Sequence, residues 1–154
     1  MLNLYRAATI AAGPLAGVAL RRRASRGKED MSRLGERFGR ASASRPPGAL
    51  VWIHAASVGE ALSVLPLVER MLNALPKGHV LLTTGTLSSA RLMKGRLPER
   101  AFHQFVPIDR PDAVCRFLDH WLPQLAIWVE SELWPNLLRD THRRQIPTVL
   151  VQGR

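Results

Sequence analysis

The chain has little that would supply redox or metal chemistry or a membrane span. It holds a single cysteine, Cys115, so no internal disulfide can form, and a reducing compartment is the simpler setting. There is no C-x-x-C or H-E-x-x-H and no G-K-[S/T] of a Walker loop, so neither a metal site nor a P-loop is indicated. The uncharged apolar run at residues 7–20, "AATIAAGPLAGVAL", is 14 residues long, short of the roughly 20 that cross a bilayer. Gly13, Pro14 and Gly17 weaken it further as a helix. No small-residue cleavage site precedes the basic cluster behind it, which argues against a secretory leader. Internal repeats, low-complexity runs and the aromatic signature of RNA-recognition modules are also missing.

What is present is enough for one globular domain: 154 residues, 46% of them apolar. The net charge of +10 is uneven: residues 1–48 hold ten Lys and Arg against three acids, and residues 49–154 hold twelve against nine. A basic N-terminus points to an anionic surface as partner, membrane or nucleic acid. Arg6 before the apolar run and Arg21, Arg22, Arg23, Arg26 and Lys28 after it suit an anchor lying at a membrane surface. A buried N-terminal helix is the plainer alternative. Residues 1–28 are thus assigned as anchor and basic flank, and residues 29–154 as the globular domain.

From Leu50 onward apolar runs alternate with amphipathic segments. Strands are expected at 50–54, 79–83, 102–106, 125–129 and 147–151, and helices at 58–75 (kinked at Pro66), 86–96, 110–121 and 133–145. A short helix is expected within 31–40, and a small, polar, Pro-rich linker at 41–48. Alternation of this kind predicts βαβ units: an α/β domain with a mainly parallel sheet and helices on both faces. Ligands then bind beyond the carboxyl ends of the strands. Four strand-to-helix turns lie there: "HAASVGE" (54–60), "TTGTLSS" (83–89), "PIDRPD" (107–112) and "ESELWPN" (130–136).

Ser57 and Glu60 have the spacing of a capping box, a complete structural explanation. The small Ala55, Ala56 and Gly59 equally suit a backbone that approaches a ligand at a helix start. Thr84, Gly85 and Thr86 form a second hydroxyl-rich start, fit for capping or for phosphate and sugar hydroxyls. Asp109 and Pro111 read as cap and first turn of the helix that follows. Glu130 and Glu132 could be helix-start charges, contacts to sugar hydroxyls or proton-transfer groups. His54 and His103 read as bonded core residues.

"RLGERFG" at 33–39, "HAASVGE" at 54–60, "TTGT" at 83–86, "FLDHW" at 117–121 and "VESELWPN" at 129–136 together resemble the N-terminal half of 3-deoxy-D-manno-octulosonic acid (Kdo) transferases. The resemblance implies the N-terminal, acceptor-side Rossmann-like domain of a GT-B glycosyltransferase, preceded by an N-terminal membrane-anchor helix at the cytoplasmic face of the inner membrane. It implies CMP-Kdo as donor substrate, a lipid A precursor as acceptor, and no cofactor or obligatory metal. It places the general base on the glutamate of G-E-R, here Glu36, in an inverting displacement. Arg33 and Arg37 are then expected at acceptor phosphates. Ala56, Ser57, Gly59, Thr84, Gly85, Thr86, Glu130 and Glu132 are expected at substrate, with Glu60 chiefly securing its helix. Family members run to more than twice this length, so a C-terminal donor domain is expected to be missing and these residues alone to be inactive. The competing readings are another GT-B transferase acting on a lipid-linked sugar and a non-enzymatic basic α/β binding module.

Overall fold

The computed structural model describes residues 2–129 and 134–151. Five parallel strands, β1 (Leu50–His54), β2 (His79–Thr84), β3 (Ala101–Phe105), β4 (Leu125–Val129) and β5 (Thr148–Val151), form one sheet of order β3-β2-β1-β4-β5. The apolar runs are strands because both faces are covered, and β1 is buried at every position. Side chains alternate across the sheet. Val51, Ile53, Val80, Leu82 and Ile127 pack under α4 (Val58–Ser63), α5 (Leu65–Ala74) and α6 (Leu87–Met93). Leu50, Trp52, Leu81, Ala126 and Trp128 pack under α7 (Pro111–Trp121) and α8 (Pro135–Arg143). On that second face Trp52 meets Phe117 and Trp128 edge-on, with ring centroids 5.1 and 5.4 Å apart.

Strand positions agree with the sequence reading to within a residue, and helix ends less well. The helix expected at 58–75 is two helices, with Val64 ending α4 and starting α5. Pro66 lacks the N–H that would continue α4, and its fixed φ suits the first turn of a new helix, so the chain breaks there rather than kinks. The segment at 31–40 forms a 3-10 turn (Met31–Arg33) and one helical turn, α3 (Leu34–Arg37). Gly39 then takes φ +75°, with the Ala113 carbonyl where a Cβ would sit, so α7 presses directly against this segment.

The N-terminal residues form two helices, α1 (Leu2–Ala11) and α2 (Gly13–Ser25), laid against the domain. Among the described residues no helix is long and apolar enough to cross a membrane.

Candidate functional site

Beyond β1 the chain turns through Ala55 and Ala56, both buried, into α4. Ser57 Oγ accepts from the Glu60 amide at 3.3 Å, and Glu60 reaches back to the Ala56 amide (Oε2, 2.7 Å) and the Ser57 hydroxyl (Oε1, 2.8 Å). The capping box therefore forms, with its glutamate on the amide of Ala56 rather than of Ser57. Each carboxylate oxygen of Glu60 has one donor and keeps further lone-pair capacity, and the side chain is half-buried at the carboxyl edge. No chain atom lies within 4 Å of where a Gly59 Cβ would stand, so nothing among the described residues demands glycine there.

The second turn abuts the first. The Gly85 amide donates to the Ala56 carbonyl at 3.3 Å. Thr86 caps α6 by accepting from the Ser89 amide at 3.1 Å. Thr84 is buried and turns its hydroxyl to His103 Nε2 at 2.9 Å, into the fold rather than toward the edge. Ser57, Glu60, Gly85 and Thr86 thus share one corner of the sheet's carboxyl edge. Glu130 and Glu132 lie outside the described residues.

The R-L-G-E-R segment does something else. β3 is an edge strand, and edge strands need their free backbone groups covered. Phe105 N–H donates to Glu36 Oε2 at 2.7 Å, the His103 carbonyl accepts from Arg33 at 3.0 Å, and Ile108 N–H donates to the Arg37 carbonyl at 2.8 Å. Glu36 has no exposed surface and takes four donors: Arg33 Nε and Nη2 at 2.8 and 2.9 Å, the Ser42 hydroxyl, and Phe105 N–H. A carboxylate offers about four lone-pair sites, so all are filled. This geometry does not suit the general-base role expected of Glu36, because an acceptor hydroxyl can neither reach the carboxylate nor find a free lone pair.

Arg37 is likewise enclosed, 6% exposed at its side chain. It pairs with Glu29 at 3.0 Å and lies over the Phe105 ring. It also donates to the Val106 and Gly85 carbonyls at 3.3 and 2.7 Å. Burial lowers its pKa, with Glu29 opposing that shift. No arm is left for an acceptor phosphate. Instead, a hydrogen-bonded path runs Glu29–Arg37–Gly85–Ala56–Glu60. Arg33 keeps 27% of its side chain at the surface. It lines a groove of about 680 Å³ whose other walls include Arg91 and Lys94.

Both histidines are bonded within the fold. Arg33 has only donors to offer, so His103 Nδ1 accepts at 3.1 Å and the proton sits on Nε2, facing Thr84. Desolvation, then the charges of Arg33 and Arg37, push His103 down to about 3. His54 is buried with Nδ1 3.0 Å from Thr83 Oγ1, and burial pushes it down to about 4. Asp109 departs from expectation. It caps α8, not α7, accepting from the Asn136 and Leu137 amides at 3.0 and 2.8 Å. Pro135 opens α8 without a side-chain cap of its own, and the third turn lies close enough to fill that need. Glu29 and Ser42 carried no sequence signal, since their partners lie in other turns and strands.

An open parallel sheet of order 3-2-1-4-5, with capped hydroxyl and carboxylate turns at its carboxyl edge, is the Rossmann-like α/β class. Residues 32–154 match the family described as 3-deoxy-D-manno-octulosonic-acid transferase (kdotransferase), in its N-terminal part, and the chain belongs to that family. It is 43% identical over 152 residues to a probable mitochondrial 3-deoxy-D-manno-octulosonic acid transferase of Arabidopsis thaliana, covering 99% of this chain and 34% of that protein. It is 38% identical over 154 residues to a 3-deoxy-D-manno-octulosonic acid transferase of Rickettsia bellii, covering 100% of this chain and 37% of that one. It is also 38% identical over 123 residues to the Haemophilus influenzae enzyme of the same name, covering 79% and 29%. The chain spans about a third of the length of these curated relatives. Among the described residues no three His, Cys, Asp or Glu side chains cluster as metal ligands.

Proposed function

We propose that this chain forms the acceptor-side half of a GT-B glycosyltransferase that moves Kdo from CMP-Kdo to a lipid A precursor at the cytoplasmic face of the inner membrane. Family membership supports the transfer. The observation that carries the site is Glu60, a half-buried carboxylate with spare lone pairs at the carboxyl edge of β1, set beside Ser57, Gly85 and Thr86.

Glu60 is the general base in this reading. An acceptor hydroxyl attacks the anomeric carbon of Kdo and passes its proton to Glu60. The bond from that carbon to the cytidylate phosphate breaks, and the phosphate leaves with the electron pair. Attack opposite the leaving group inverts the configuration. A phosphate leaves without a strong acid, so the step needs no metal. The Ala56 amide holds Glu60 Oε2 in place, while the Ser57 hydroxyl on Oε1 can rotate as the proton arrives. Ala56, Gly59, Gly85 and Thr86 shape the wall against which the acceptor lies. Arg33, with Arg91 and Lys94, offers cationic groups for its phosphates. Glu130 and Glu132 retain only the acceptor contacts implied by resemblance.

The test is Kdo transfer to a lipid A precursor by a full-length family member carrying residues 32–154 of this chain. Glu60→Gln is expected to lower turnover by about 10²–10⁴-fold at nearly parental stability. A Glu60→Gln enzyme with parental turnover would overturn the assignment.

A further inference from the structure

Two arginines from different helices converge on one buried carboxylate. α2 closes in a Schellman turn. Gly27 takes φ +68°, its N–H donates to the Ala24 carbonyl at 2.9 Å, and Lys28 N–H donates to the Arg23 carbonyl at 2.9 Å. Asp30 then accepts from the Ser32 amide at 3.0 Å and opens the 3-10 turn that leads into α3. Glu29 is held between these two turns, its side chain 3% exposed. Its Oε1 accepts from Arg23 Nε and Arg37 Nη2, both at 3.2 Å. Its Oε2 accepts from Arg37 Nε and Nη2 at 3.1 and 3.0 Å.

A guanidinium is a rigid, planar fork. With Nε and one N–H of Nη2 spent on Glu29, the direction of the other Nη2 N–H is fixed, and there it meets the Gly85 carbonyl at 2.7 Å. The Phe105 ring centre, 4.4 Å from the guanidinium carbon, supports the plane. Gly85 is pinned from its other side too. Its N–H donates to the Ala56 carbonyl at 3.3 Å, and a Cβ on Gly85 would stand 3.3 Å from the same oxygen. The two turns therefore touch about as closely as glycine allows. The Ala56 N–H in turn holds Glu60 Oε2 at 2.7 Å.

We propose that Glu29 is a positioning residue for sugar transfer: it aims Arg37 at Gly85, so sets the register of the Glu60 corner, and through Arg23 it makes the docking of α2 part of that register. The inference rests on Glu60 as the general base. Glu36, the other acid whose charge acts on Arg37, cannot take over from Glu29, because its own lone pairs are filled by Arg33, Ser42 and Phe105.

The experiment has two arms. Hydrogen exchange of the 154-residue chain, followed amide by amide by NMR, reads the tie with no substrate present. Glu29→Gln keeps the side chain's size but sets a donor nitrogen against Arg37. Exchange at the Gly85 and Ala56 amides should quicken by roughly tenfold, while the amides of β1 and β2 hold. Arg23→Gln, at a side chain 51% exposed, leaves the Glu29–Arg37 pair in place and should quicken the same two amides by less. The second arm is Kdo transfer by a full-length family member carrying residues 1–154 of this chain. Glu29→Gln should lower kcat by about 10²-fold, the cost of a misplaced reacting group, with the acceptor KM nearly unchanged. Glu29→Asp, which keeps the charge, should recover part of that loss. In a Glu60→Gln background, Glu29→Gln should lower kcat by less than about threefold, because the group it positions is already gone.

Parental exchange at both amides in Glu29→Gln overturns the proposal, as does parental kcat. A Glu29→Gln loss that multiplies in full on top of Glu60→Gln also overturns it, by placing the action of Glu29 elsewhere. If Glu29→Gln fails to fold, Arg23→Gln decides: quickened exchange at Gly85 and Ala56 upholds the tie, and parental exchange at both overturns it. A Glu60→Gln enzyme with parental turnover overturns the general-base assignment and with it the catalytic meaning of the tie. The exchange arm is run without sugar transfer, so the tie and the transfer reading can fail separately.

Discussion

Replacing Glu36 by glutamine separates a structural clamp from a catalytic base. The amide keeps the side chain's size but replaces one acceptor oxygen with a donor nitrogen. Set at the Oε2 position, that nitrogen would face Arg33 Nη2 and Phe105 N–H, donors both. Set at the Oε1 position, it faces Arg33 Nε and the Ser42 hydroxyl, of which only the hydroxyl can turn to accept. Either way the bidentate ion pair with Arg33 loses its charge. Removing one partner of a buried pair costs about 3–5 kcal/mol, and Arg33, 27% exposed, recovers some solvation, so about 3 kcal/mol is the expected loss. At an urea m-value of about 2 kcal/mol/M the midpoint should fall by about 1.5 M. The assay is urea unfolding of the 154-residue chain followed by tryptophan fluorescence and far-UV circular dichroism. Glu60→Gln serves as the comparison; its capping box persists with glutamine, so its midpoint should move by less than about 1 M. A Glu36→Gln chain unfolding at the parental midpoint would refute the clamp and return Glu36 to the list of candidate bases.

Two further outcomes follow from the buried polar groups. His54 and His103 have folded pKa values of about 4 and about 3, below the unfolded value of 6.5, so their contribution is full above pH 6.5 and is lost as pH falls toward 4 and then 3. His54 alone accounts for roughly 3 kcal/mol across that window. A thermal midpoint that stays level between pH 7 and pH 4.5 would contradict neutral burial. Arg37→Lys should loosen the Gly85 turn, because a single ammonium cannot serve Glu29, Val106 and Gly85 together. Amide exchange at Gly85 and Ala56 should quicken, and in the full-length chimera turnover should fall more than acceptor affinity; unchanged exchange at both amides would remove Arg37 from the path to Glu60.

Much of the fold was legible in the sequence because local patterning carried it. Runs such as "LVWI" and "LAIWV", apolar at every position, short and bounded by turn signals, read as strands covered on both faces, and the intervening amphipathic segments supply the cover. The capping box at Ser57 and Glu60 was legible for the same reason: its partners are three residues apart. The "RLGER" segment was not. The residues alone read as a charged helical turn whose Glu36 pairs with Arg33, Arg37 or Arg40 at the surface; the base came only from the resemblance, and the motif alone cannot say that β3 ends the sheet and leaves its amides in need of a carboxylate.

By itself, then, the sequence determined the alternation of strand and helix, the parallel sheet, the edge at which the strand-to-helix turns lie and the resemblance that led to the family. Each of these follows from residues close together in the chain. Only the tertiary structure decided which carboxylate is free. Glu36 is filled by donors from residues 33, 42 and 105, and Glu60 is left with spare lone pairs at the edge. The same holds for Asp109, which caps the amides of residues 136 and 137, and for α1, whose polar side chains turn inward because Asp109, Asn136 and Asp140 wait there. A side chain's availability depends on the donors that folding brings to it, and those come from strands and turns that no local spacing relates.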